Sequence, residues 1–292
     1  MRLPSPKELS QLMKVVAFSL CLALLLPAGA SAAKKSGSAR PATTSGNIYP
    51  QFRSPFGVVR WVPEQMPLKV YITHGLSIMD WRNNELPEMV NDFGGPVASM
   101  DTLNQWPKLV KELVINERFG KLRQADGYNE DMWRAAAQGI GQWKAFEKEG
   151  LFRFDLTENP DEANVFIFWA PHFTNKMGMG ITQNDTKGCT SKDIFPYKVI
   201  QQVLSGQIAP ERVDFKPVVV QLVTCERPFG PPIPLGKLVS ASAHEMGHVL
   251  GIDGHSLNPV DLMCLNYGRG VVSPNDAATI RFLYRSRPDL VP

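Results

Sequence analysis

The feature that most constrains this chain is the stretch Leu238 to Leu250, thirteen mostly apolar or small residues among which stand His244, Glu245 and His248. It reads as a buried helix, on which residues four apart lie one above the other on one face. Both imidazoles can then address one ion. Glu245, turned by roughly 100° from His244, points beside that ion and suits proton transfer better than coordination. Gly251 can take a left-handed conformation that ends the helix and turns the chain back, and His255 follows closely enough to supply a third nitrogen.

Three of the chain's five histidines thus fall within twelve residues. Three protein ligands with one position left for water is the arrangement of a catalytic zinc, whereas a structural zinc is closed by four. A lone histidine on an apolar helix is more often a core residue, but the spacing and the adjacent carboxylate meet a joint requirement. His74 and His172 are isolated and read as structural or surface residues.

The string from His244 to Ser256, His-Glu-Met-Gly-His-Val-Leu-Gly-Ile-Asp-Gly-His-Ser, followed by Asp261-Leu262-Met263, resembles the zinc site of the metzincins. Within them it is most similar to the matrixins and their bacterial relatives. The resemblance is strong over 235–286 and weaker, by order of elements, over 60–235. It implies an α+β fold: a metzincin-like zinc protease domain with a twisted mixed β-sheet packed on an active-site helix and a second long helix. A C-terminal helix follows the methionine turn. It implies Zn2+ held by His244, His248 and His255, Glu245 as catalytic base, and Met263 as the apolar floor beneath the metal. Protein or peptide is the implied substrate, lying extended against an edge strand expected around Gly178 to Thr182.

One departure stands out. The family places its third ligand three residues after the glycine, where this chain has Gly254, and histidine comes one residue later. Gly254 reads as an insertion absorbed by unusual dihedrals. Asp253 as third ligand is the alternative. The tyrosine that some relatives carry two residues after the methionine is replaced by Leu265, and Tyr267 is not at the matching spacing. No cysteine-bearing propeptide motif occurs, and the calcium and second-zinc sites find no clear counterpart.

The remaining chain supplies context. Arg2, Lys7 and Lys14 precede an apolar run from Val15 to Leu26 and a small-residue stretch from Ala28 to Ala33, which reads as an export signal over 1–32. The run is short for a bilayer span, which needs roughly 20 residues. Residues 33–54 read as a flexible linker, and 55–292 as the folded domain, with an insertion over about 77–127. Loss of 1–32 removes three basic residues and one acidic residue from a net charge of +3 and leaves +1, so nothing in the charge points to nucleic acid or an anionic membrane. Cys21 leaves with the signal. Of Cys189, Cys225 and Cys264, the first two are the expected bridge, although spacing alone does not decide it.

Strands are expected at Leu68–Ile72, Phe152–Leu156, Val165–Ala170 and Val218–Val223. Helices are expected after Pro107, over Glu130–Lys148 capped by Asn129, and from Pro274 capped by Ser273. The sequence supports a secreted zinc endopeptidase, extracellular or periplasmic. Two alternatives are an exported zinc-binding or cell-envelope protein without turnover, and a zinc amidase acting on a non-peptide substrate.

Overall fold

A computed structural model describes residues 46–54, 57–78, 106–173, 188–191, 205–206, 217–226 and 230–291. The export signal, the tether up to residue 45, residues 79–105 of the expected insertion and the expected edge strand Met177–Thr182 lie outside the described residues. Among the described residues, no helix is long and apolar enough to cross a membrane.

The architecture is α+β. Five strands form one mixed sheet in the order β2-β1-β3-β5-β4, with β1 at Leu68–Ile72, β2 at Phe154–Leu156, β3 at Val165–Ala170, β4 at Gly188–Ser191 and β5 at Val218–Val223. The first four in that order run parallel up to β5, and β4 pairs antiparallel with β5 at the edge. β3 and β5 are buried along their whole length, as their unbroken apolar sequences require of strands covered on both faces. β1 alternates instead: Leu68, Val70 and Ile72 are buried while Lys69 and Tyr71 are half-exposed.

Among the described residues four α-helices accompany the sheet: α1 at Trp106–Ile115, α2 at Glu130–Gly141, α3 at Leu235–Val249 and α4 at Pro274–Arg285. α1 buries Trp106, Leu109, Val110 and Leu113, so this part of the expected insertion belongs to the core. On the sheet face beside it, Phe119 stacks on Phe166 and Phe168 at 5.9 Å. Gln221 of β5 pairs in register with Phe168 and is fully buried, and neither of its amide atoms has a hydrogen-bond partner among the described residues.

Asn129 caps α2 by accepting from the amides of Asp131 and Met132. The expected helix over Glu130–Lys148 does not stay α-helical. Beyond Gly141 it tightens into a 3-10 stretch, Gln142–Glu149, and ends at Gly150 in the left-handed region with φ 71°. The apolar face survives the change, since Met132, Ala136, Ile140 and Trp143 are all buried.

α2 and α3 touch at Gly139, where a Cβ would lie 2.1 Å from Ser242 Oγ and 2.2 Å from the Val239 carbonyl oxygen. Only a glycine permits that approach. α4 begins with the capping box anticipated at Ser273, in which Ser273 and Asp276 satisfy each other's backbone amides.

Two expectations are corrected. The linker does not extend to residue 54, because Tyr49 and Phe52 are buried and the Phe52 ring meets Phe282 edge-on at 5.6 Å. Cys225 carries a free thiol, so the expected bridge to Cys189 is not formed.

Candidate metal centre

α3 brings His244 and His248 to one face, one turn apart, with their Nε2 atoms 3.1 Å from each other. The Nδ1–H groups are engaged elsewhere. His244 donates to the Leu262 carbonyl at 2.8 Å and His248 to the Ile252 carbonyl at 2.6 Å. These bonds fix the tautomer and turn both Nε2 lone pairs to the same point, the outer-shell device of a metal-binding histidine.

The chain then reverses at Gly251, whose φ is 114° and where a Cβ would lie 2.3 Å from the Val59 carbonyl oxygen. His255 returns to the cluster, its ring 5.1 Å from that of His244 and 5.0 Å from that of His248. One nitrogen from each of the three imidazoles lies within 4.8 Å of the others. Two imidazole nitrogens on a tetrahedral zinc, each about 2.0–2.1 Å from it, stand about 3.4 Å apart. The donor set and the spacing fit a small divalent ion with three nitrogen ligands.

Among the described residues this is the one group of three or more metal-capable side chains. Asp253 does not belong to it: the residue is exposed, and its amide donates to the Phe52 carbonyl. His74 lies outside as well, exposed between Glu130 and Glu158 and stacked on Trp133. His172 is half-buried and also apart from the cluster.

Gly254 is not among the positive-φ glycines. Its necessity is steric, because a Cβ there would sit 2.3 Å from the Gln51 carbonyl oxygen.

Burial pushes the His244 imidazole down to about 3, with the neighbouring His255 adding to the effect and the bond to Leu262 opposing it. Burial also lowers His255, against the pull of Asp253. A cluster held neutral in this way keeps its lone pairs available to a cation. Glu245, next to His244 on α3, is buried at 4% exposure.

Beneath the cluster, Met263 is fully buried, and its Sδ lies only 2.4 Å from where a Cβ on Gly247 would stand. The expected apolar floor is therefore pressed directly against the ligand helix. The helix end is closed by two side chains, Trp61 donating to the Val249 carbonyl at 2.7 Å and Tyr284 to the Leu250 carbonyl at 3.0 Å, while Trp143 donates to the Ala243 carbonyl at 2.8 Å in the helix interior. Carbonyls that a helix C-terminus leaves without partners are thereby satisfied.

Three contributors carry roles that the sequence does not assign them. Tyr267 reaches the site despite its spacing: it and Gly268 both have positive φ, 59° and 51°, and the turn sets the phenol ring edge-on to His244 at 4.9 Å. The glycines at 268 and 270 were the available signal for so tight a turn. Asp261 accepts from Ser256 Oγ at 2.6 Å and Ser273 Oγ at 2.7 Å, tying the loop after His255 to the start of α4. Asp276 accepts from the amides of Leu262 at 2.9 Å and Met263 at 3.3 Å and so holds the floor. Burial raises the Asp276 carboxyl, against the hydrogen bonds from Ser273 and Leu262.

The chain matches no protein-family model and no curated protein.

Proposed function

We propose that this chain is an exported, zinc-dependent endopeptidase with a metzincin-type domain, matrixin-like in its metal site. The observation that carries the reading is the convergence of His244, His248 and His255, two of them tied through Nδ1 to backbone carbonyls, beside the buried carboxylate of Glu245. A bound zinc ion supplies Lewis acidity, making a water acidic near neutral pH and polarising a carbonyl.

The chain's own residues do the rest. His244, His248 and His255 hold the centre in a fixed geometry, and a set of three protein ligands leaves a fourth position for water. Glu245 takes a proton from the attacking water and returns it to the leaving amine. Met263 and Trp143 exclude water from beneath the helix. Among the described residues β4 is the last strand of the sheet and lies against α3, and its outer backbone groups suit an extended polypeptide. The apolar segment before residue 33 supports export, and protein or peptide outside the cytoplasm is the substrate.

The test is Glu245→Gln. The variant is expected to retain one zinc per chain while internal cleavage of an unfolded protein falls by at least about a hundredfold, within the range for losing a general base. Undiminished cleavage by the variant, or zinc-loaded wild type that makes no internal peptide cuts, refutes the reading.

A further inference from the structure

We propose that the segment Tyr49–Arg53 is a positioning element for the metal centre: its main chain sets the lengthened turn ahead of His255, and Tyr49 steadies the loop on which His244 hangs. The inference rests on the metal-centre reading above and deepens it.

An extra residue between Gly251 and the third ligand gives that ligand a longer, looser leash. A ligand displaced by about 1 Å costs affinity, so something has to fix the turn. The fixing contacts come from the N-terminal segment. The Asp253 amide donates to the Phe52 carbonyl at 2.9 Å. One residue on, Gly254 lies so close under the Gln51 carbonyl that no side chain fits. On the other side of His255, the Ser256 amide donates to the Met263 carbonyl at 2.8 Å and its hydroxyl to Asp261. His255 is thus pinned between the segment and the floor.

The same segment reaches His244 by a second route. Tyr49 donates its hydroxyl to Asp276 Oδ1 at 3.2 Å, and its amide approaches Thr279 Oγ1 at 3.4 Å. Asp276 holds the Leu262 amide, and the Leu262 carbonyl receives His244 Nδ1–H. The Asn47 amide donates to Asn275 Oδ1 at 2.8 Å, and the buried Phe52 ring rests on Phe282. Two of the three imidazoles are therefore oriented through a stretch of chain that precedes the first strand and carries no ligand itself. Tyr49, Gln51 and Phe52 act through other residues.

The experiment uses the full-length chain, stripped of metal and reloaded with Zn2+ or Co2+, as wild type, Phe52→Ala, Gly254→Ala and Tyr49→Phe. Zinc affinity is read by chelator competition, and ligand geometry by the visible absorption of the Co2+ form. Phe52→Ala and Gly254→Ala are expected to lose about ten- to a hundredfold in zinc affinity, the usual effect of disturbing an outer-shell partner, with shifted or weakened Co2+ bands. Tyr49→Phe removes a single hydroxyl and keeps the ring, so it reports even where the other two do not fold, with a loss of about threefold.

Folded variants with wild-type zinc affinity and superimposable Co2+ bands overturn the proposal, even where the metal-free chain melts earlier. Wild type that binds no stoichiometric metal overturns the metal-centre reading instead, so the two failures are distinguishable.

Discussion

Gln221→Met is expected to stabilise the protein, against the ordinary outcome of a core substitution. Gln221 lies in the middle of β5 between two other strands, fully buried, with both amide atoms lacking a hydrogen-bond partner among the described residues. Each buried polar group left without a partner costs about 1–3 kcal/mol, and the amide carries one donor group and one acceptor. Methionine has a similar length and no polar hydrogen, and a mismatch in a near-isosteric swap costs less than about 1.5 kcal/mol. Two such groups cost about 2–6 kcal/mol, so with the full mismatch subtracted the net gain is about 0.5–4.5 kcal/mol. For a domain of this size each kcal/mol raises the melting temperature by about 2–4 °C.

Thermal and urea unfolding of wild type and variant, both in excess chelator so that metal linkage does not mask the difference, reads the effect directly. Gln221→Glu is the control of opposite sign, because it places an unpaired carboxylate in the same position. A Gln221→Met chain with a lower urea midpoint at unchanged slope refutes the reasoning, since the amide would then be contributing hydrogen bonds.

Further outcomes follow from the site. His244 titrates near 3 in the folded chain against about 6.5 when unfolded. Between those values the unfolded state binds the extra proton, so metal-free stability is full above about pH 6.5 and falls as pH drops toward 3, by on the order of 5 kcal/mol. Urea midpoints across that window are expected to fall more steeply for wild type than for His244→Gln, and equal slopes refute the assignment; Asp276, raised by burial, acts in the opposite direction in both chains and cancels. Gly139→Ala places a Cβ against Ser242 and the Val239 carbonyl, and the overpacking of about 1–3 kcal/mol exceeds the helix-propensity gain of about 1. Its melting temperature is expected to fall by several degrees, with weaker zinc binding as α3 moves; an unchanged chain refutes the close-contact argument.

The elements that sequence reasoning placed correctly are those in which local pattern and burial agree. β1, β3 and β5 keep the limits that alternation or unbroken apolarity assigns them, and the ligand helix starts three residues earlier, at Leu235, and ends one residue earlier, at Val249. The cluster itself was legible because its spacing is local: four residues along a helix, then a glycine turn. What escaped depends on distant partners. Tyr49 and Phe52 are separated by Pro50 and Gln51 and show no periodicity, so nothing marked them as core; their burial comes from α4, more than two hundred residues away. Gly254 needs no unusual dihedrals; the cause is a carbonyl from that same remote segment. The 3-10 tightening after Gly141 preserves the buried face, so side-chain pattern could not distinguish it from a continuing α-helix.

The ligand helix is fastened by residues distant from it in sequence: Trp61 and Tyr284 close its last turn, and Asp276 suspends the loop beneath it. During synthesis the histidines emerge before α4, so a nascent chain carries every ligand and yet lacks the parts that aim them. On the proposed reading, the three imidazoles are aimed only once α4 has joined the fold.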